Sequence, residues 1–121
     1  MQALVDRHRL GAEARRALTG GDVAAPELLD LEVLSALRGL HRGGLVTEQE
    51  ATQARARLGR TRITRCSHTL LAERVWELRD NLTVYDACYV ALAERIQASL
   101  ATRDRALASA PGIRCEIELV G

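Results

Sequence analysis

Three acidic residues stand at the edges of apolar segments of this chain: Glu32, Asp86 and Asp104. A carboxylate at the edge of a buried layer is costly unless another group uses its charge. Carboxylates held close together also repel one another, unless one is protonated or a cation lies between them. Because hard cations prefer oxygen ligands, the pattern predicts a site for Mg²⁺ or Mn²⁺. Such an ion can activate water and clamp a phosphodiester for in-line attack.

Each acid taken alone also has a structural explanation. Thr83 has the residue type of a helix cap, and the helix dipole favours Asp86 in the first turn by about 0.3–1 kcal/mol. Asp104 would likewise cap a short helix after it, and Glu32 would be a boundary glutamate with its head in solvent. Asp30 falls on a different helix face and is expected to be solvated. The catalytic interpretation therefore depends on the three acids acting together.

Composition excludes several functions. The 121 residues suit a single domain, 1–121, and the net charge of +1 argues against a strongly polybasic nucleic-acid binder. With three aromatic residues in the chain, a stacking platform for unpaired bases is not expected. The chain carries neither a phosphate-binding Gly-rich loop nor a nucleophile elbow. Its histidines lack metal-ligand spacing and are expected at the surface: His8, His41 and His68.

The cysteines and the apolar runs indicate the cellular compartment of the protein. The three cysteines are scattered, which is typical of reduced thiols in a cytosolic protein. No signal peptide or membrane-length apolar run is evident, so we expect a cytoplasmic protein without a membrane partner. All basic residues are arginine, and one strip would be either a solvated face or a guide for RNA phosphates: Arg55, Arg57, Arg60, Arg62 and Arg65.

Helical and strand patterns alternate along the chain, which predicts an α/β fold with a mostly parallel sheet. Functional sites of such sheets gather at the carboxyl ends of the strands. Thr47 and Glu50 form a predicted capping box at one helix start. The predicted helices cover 4–18, 26–42, 47–59, 67–79, 83–97 and 103–110, and the predicted strands cover 23–25, 60–66, 98–101 and 114–120.

Two stretches of the sequence resemble a known family. The first is Trp76–Ala87, which contains Leu82-Thr83-Val84-Tyr85-Asp86-Ala87, continuing through Leu92-Ala93-Glu94 to Thr102-Arg103-Asp104. The second is Ala25-Pro26-Glu27-Leu28-Leu29-Asp30-Leu31-Glu32-Val33. Together they resemble the PIN domain, and specifically a VapC-type toxin of a bacterial toxin–antitoxin pair. The resemblance covers nearly the whole chain.

The resemblance implies a three-layer PIN-like fold, with a short, mostly parallel central sheet flanked by helices. It also implies a Mg²⁺-dependent endoribonuclease that cuts RNA, is neutralised by a cognate antitoxin and forms a homodimer. Members of the family carry four acids. By position, Glu32, Asp86 and Asp104 match three of them as catalytic and metal-binding residues.

The fourth acid of the family follows its first strand, and that strand is expected to be missing here. Asp6 lies too close to Gly11 to be this acid, so Leu4-Val5-Asp6 is interpreted as part of the first helix. Met1 would then be an internal methionine of a longer natural protein. Two alternatives stay open: a catalytically impaired PIN-like module that binds an antitoxin or itself, and an unrelated α/β binding domain whose acids cap helices.

Overall fold

A computed structural model describes residues 3–6 and 23–119 of the protein. Within these ranges five short strands form a single sheet: β1 (Ala3–Asp6), β2 (Val23–Pro26), β3 (Ile63–Cys66), β4 (Leu100–Thr102) and β5 (Ile117–Leu119). The helices of the same ranges are α1 (Leu28–Arg42), α2 (Glu48–Arg60), α3 (Ala72–Glu77), α4 (Val84–Arg95) and α5 (Arg105–Ser109), with a 3₁₀ turn at His68–Leu70 before α3.

The sheet has the order β3-β2-β1-β4-β5. Strand β2 pairs parallel with β3, strand β4 pairs parallel with β5, and β1 runs antiparallel to both β2 and β4. Four strands therefore share one direction, and their carboxyl ends meet at one edge of the sheet. The α/β fold and the mostly parallel sheet predicted from the sequence are confirmed.

The N-terminal residues differ from the prediction. Leu4, Val5 and Asp6 were assigned to a helix, but they form β1 in the middle of the sheet. The first strand, which was expected to be missing, is therefore present and is formed by residues 3–6. The assignment failed because a short apolar run can form a strand or part of a helix, and long-range pairing decides between them. The remainder of that predicted helix lies outside the described residues.

Local capping signals fix two of the helix starts. The Thr47 hydroxyl accepts the Glu50 N–H at 3.0 Å, and the Glu50 carboxylate accepts the Thr47 N–H at 2.9 Å, which confirms the capping box of α2. At α4 the Thr83 hydroxyl accepts the Asp86 N–H at 3.1 Å. The predicted helix over 67–79 is divided instead into the 3₁₀ turn and α3, with Leu71 between them.

Helix α4 lies at the centre of the core. Its residues 87–93 are all buried, because the helix packs against β1, β2 and β4 and also against α3. Arg74 on α3 fastens this arrangement: its guanidinium binds both carboxylate oxygens of Glu94 on α4, at 2.6 and 3.2 Å, and donates to the Gly112 carbonyl at 2.7 Å. These contacts tie the last turn of α4 to α3 and to the loop before β5.

Candidate active site

Asp86 is presented by the capped start of α4. Because Thr83 holds the Asp86 N–H, the Asp86 side chain leaves from the first turn, and it is partly buried. Burial raises the pKa of the Asp86 carboxyl, and the charges of Asp104 and Glu32 raise this pKa further, whereas a hydrogen bond with Thr83 lowers it. The net shift is upward, so Asp86 is a carboxyl whose charge the surroundings disfavour.

Asp104 lies directly after β4 and caps α5. Its carboxylate oxygen Oδ1 accepts the N–H groups of Ala106 at 2.8 Å and Leu107 at 3.3 Å. Its own N–H donates to the hydroxyl of the buried Thr102 at 3.0 Å. The capping role that the sequence suggested for Asp104 is confirmed. The same bonds orient its carboxylate at the carboxyl end of β4.

Glu32 reaches the site from the second turn of α1. Its carboxylate accepts a short hydrogen bond from the phenol of Tyr89, which lies on α4 and is 2% exposed. Burial raises the pKa of Tyr89 well above its usual range, and the adjacent Glu32 carboxylate raises it further. Tyr89 therefore stays a donor at every physiological pH and holds Glu32 in one position.

Asp86 lies near enough to both other predicted acids to feel their charges. Asp86 experiences the charge of both Asp104 and Glu32, so carboxylates from three helices interact at the carboxyl edge of the sheet. Asp86 is thus linked to each of the other two acids, and the catalytic and metal-binding roles of the three stay a prediction.

The donor chemistry of this cluster is that of a site for a hard divalent cation, because every contributed side-chain group is a carboxylate. Over residues 3–6 and 23–119, however, no trio of His, Cys, Asp or Glu lies close enough to a common point to hold a metal ion by itself. The residues thus fit such an ion in ligand type, with water completing the coordination shell, as Mg²⁺ commonly requires.

Strand β1 brings no fourth acid to this edge. Ala3 pairs with Thr102 and Asp6 pairs with Val23, at the start of β2. Because β1 runs opposite to its neighbours, Asp6 lies at the far edge of the sheet from Asp104. Its exclusion from the predicted site agrees with this register.

Two sequence comparisons fit this geometry. The PIN domain family matches residues 1–113 of the chain. The chain belongs to the PIN domain family. Its relatives carry VapC names: it is 45% identical over 97 residues to Ribonuclease VapC1 of Mycobacterium tuberculosis H37Rv, covering 79% of this chain and 73% of that protein. It is also 35% identical over 108 residues to VapC ribonuclease Mb0985 of Mycobacterium bovis, covering 89% and 85%. The expected PIN-domain, VapC-type resemblance is confirmed.

The sequence reasoning did not assign Tyr89 to the active site of this PIN domain. A signal was present, because Tyr89 follows Asp86 by three positions and the two share a helix face. The Tyr89 phenol donates a hydrogen bond to Glu32, which lies 57 positions away in the sequence. A buried tyrosine needs a partner for its hydroxyl, and here that partner is the carboxylate of Glu32, one of the three predicted acids.

Two residues that were expected at the surface, Asp30 and His68, make contacts that the sequence did not predict. Asp30 was expected to be solvated; its side chain is 37% exposed, and its carboxylate also binds the Arg65 guanidinium at 2.6 and 2.7 Å. That hydrogen bond lowers the pKa of Asp30. Arg65 is therefore engaged in an ion pair. The other four arginines of the strip lie on α2 and just before β3, and all four are exposed. His68 is exposed as expected, while its Nε2 accepts the Leu28 N–H at 2.9 Å. His8 lies outside the described residues.

Proposed function

We propose that this PIN domain is an endoribonuclease toxin that hydrolyses RNA phosphodiester bonds and is neutralised by a cognate antitoxin. The observation that carries the proposal is the electrostatic interaction of Asp86 with both Asp104 and Glu32 at one edge of the sheet. The names of its relatives, ribonucleases of the VapC type, support the same chemistry.

The chain positions these acids for work on a phosphodiester. Tyr89 fixes Glu32, the Thr83 cap fixes the turn that carries Asp86, and Asp104 is held by its cap on α5. Mg²⁺ or Mn²⁺ bound here would supply positive charge for the phosphate and activate a water molecule. We propose Asp86, Asp104 and Glu32 as its protein ligands, partly through water.

We also propose two protein partners and a compartment. Apolar side chains of α1 and of the turn after it are exposed in the monomer: Leu31, Leu34, Leu40 and Leu45. Such a surface suits a second copy of the chain or an antitoxin. No helix of the described ranges is long and apolar enough to cross a membrane. A toxin of this class would act in the cytoplasm, where its RNA substrate is found.

The second candidate is a catalytically impaired PIN-like module that binds an antitoxin or a second copy. The position of Asp6 favours it, because the reversed β1 takes that acid to the opposite edge of the sheet from Asp104. Fewer acids hold a cation less firmly and leave more of its shell to water.

One experiment separates the two candidates. The purified chain is incubated with single-stranded RNA in Mg²⁺, Mn²⁺, Ca²⁺ or a chelator, and the ends of the products are sequenced. The toxin proposal predicts cuts at defined sequences with Mg²⁺ or Mn²⁺ that disappear with the chelator. Intact RNA under every condition favours the impaired module.

A further inference from the structure

A small apolar cavity of about 270 Å³ opens between the starts of α1 and α4, the helices that carry Glu32 and Asp86. Its walls come from α1, the 3₁₀ turn, α3 and the start of α4, and include Leu28, His68, Val75, Trp76, Val84 and Tyr85. The volume lies just below the range of pockets for drug-sized ligands, which suits a single flat ring system. We propose that this cavity binds one unpaired base of the RNA, next to the phosphodiester at the three acids; the inference rests on the ribonuclease function proposed above.

The cavity and the acid cluster are built on the same two helix starts. On α1, Leu28 lines the cavity and Glu32 follows it four residues later, on the same face of the helix. On α4, Tyr85 lines the cavity and Asp86 is the next residue. A nucleotide whose phosphate lies at the carboxylates would therefore have its base within reach of the cavity.

Two of the three aromatic side chains of the chain meet at this cavity. Trp76 is 65% exposed and Tyr85 is 62% exposed, although both present large apolar rings. Bases of any sequence stack on such rings because each base has a π-face. The low aromatic content argued against a stacking platform, but composition does not show that the few rings are gathered in one place.

Polar groups around the cavity favour a nucleotide over an apolar protein side chain. The Arg79 guanidinium lies over the Trp76 ring, 4.5 Å from its centre, so a cation that can bind a phosphate stands beside this lining residue. His68 contributes a ring whose Nε2 accepts the Leu28 N–H. In the neutral ring the proton is then on Nδ1, and this N–H suits an acceptor atom on a base edge.

Trp76 is the only tryptophan of the chain, so its fluorescence reports directly on stacking. The full chain carrying Asp86→Asn, introduced to stop cleavage, is titrated with short single-stranded RNAs and with the same RNAs made abasic at one position at a time. The proposal predicts saturable quenching. One abasic position should abolish it and weaken binding on the order of tenfold, the worth of one stacked base.

Variants at Tyr85 give the matched control. Tyr85→Ala in the same background should weaken RNA binding on the order of tenfold, whereas Tyr85→Phe keeps the ring and should bind as the parent does. Quenching that no abasic position changes, or equal affinity for Tyr85→Ala and the parent, would overturn the proposal. The cavity would then be left to an apolar side chain of a protein partner.

Cleavage by the wild-type chain is measured separately. Base-dependent quenching without cleavage would remove the nuclease function and keep the base site. Cleavage without base-dependent quenching would keep the nuclease function and remove the base site.

Discussion

The phenol of Tyr89 donates a hydrogen bond to the carboxylate of Glu32 and so joins α4 to α1 at the candidate active site. The donor is buried in the core, whereas the acceptor belongs to the acid cluster. Packing of α4 in the core therefore determines where one of the three acids stands.

Tyr89→Phe removes this bond and leaves the ring in place. Hydrogen bonds to charged groups contribute about 1.5–3 kcal/mol, so we expect the free energy of unfolding in urea to fall by about that amount. RNA cleavage should fall as well, because Glu32 loses its orienting donor. Tyr85→Phe is the control: its ring is exposed, and its stability should change by no more than about 0.5 kcal/mol. Equal stability of the two variants would contradict the role of Tyr89.

Asp86→Asn should stabilise the fold at neutral pH relative to the wild type. The pKa of Asp86 is raised in the folded state, so folding favours its protonated form. The wild type therefore loses stability as pH rises from the ordinary value of 3.8 through the raised pKa, and the asparagine variant lacks this loss. Unfolding measured between about pH 3 and 7 should show a gap that widens with pH. A gap that is constant or shrinks would contradict the raised pKa of Asp86, which burial and then the charges of Asp104 and Glu32 produce.

Glu94→Gln should destabilise the protein by about 2–4 kcal/mol at neutral pH, because it removes the charge of a mostly buried ion pair with Arg74. Burial alone raises the pKa of Glu94, but the bonds from Arg74 and the Arg114 N–H outweigh it, and the net pKa is lowered. The stability from this pair is present above the ordinary value of 4.5 and is lost as pH falls through the lowered pKa. The difference between wild type and variant should therefore disappear in acid.

Glu77→Gln is the matched control for this pair, because Glu77 contacts the same arginine at 3.3 Å but is 52% exposed, against 12% for Glu94. We expect it to cost less than about 1 kcal/mol, as exposed ion pairs do. A cost equal to that of Glu94→Gln would show that burial does not set the strength of the network.

His68→Ala should destabilise the start of α1 by about 0.5–2 kcal/mol, the usual cost of losing a helix cap. Glu27, the residue before α1, makes no side-chain capping bond, and His68 supplies the acceptor for Leu28 from across the chain. His41→Ala, at the other end of α1, should cost less. Hydrogen exchange of the Leu28 amide distinguishes the two: faster exchange is expected for His68→Ala alone.

Sequence reasoning succeeded where the signal was local. Thr47 with Glu50, and Thr83 before Asp86, mark helix starts through bonds that span three residues. The position of Asp104 at the carboxyl edge of the sheet followed from the rule that sites of parallel sheets gather at the ends of strands.

Sequence reasoning failed where contacts between distant segments decide the local structure. Leu4-Val5-Asp6 became a strand because β2 and β4 pair with it on both sides. The bond from Tyr89 to Glu32 and the pair of Asp30 with Arg65 also join residues far apart in the chain, which no local spacing encodes.

The most direct test of the three-acid site is the rate at which the full chain and four variants cleave a labelled single-stranded RNA in Mn²⁺. Glu32→Gln, Asp86→Asn and Asp104→Asn should each lower the rate on the order of 100-fold or more. Asparagine caps helices as aspartate does, so Asp104→Asn keeps the start of α5. Asp30→Asn, on the same helix as Glu32 but paired with Arg65, should cleave within about threefold of the wild type. Equal rates for the wild type and the three site variants would contradict the account.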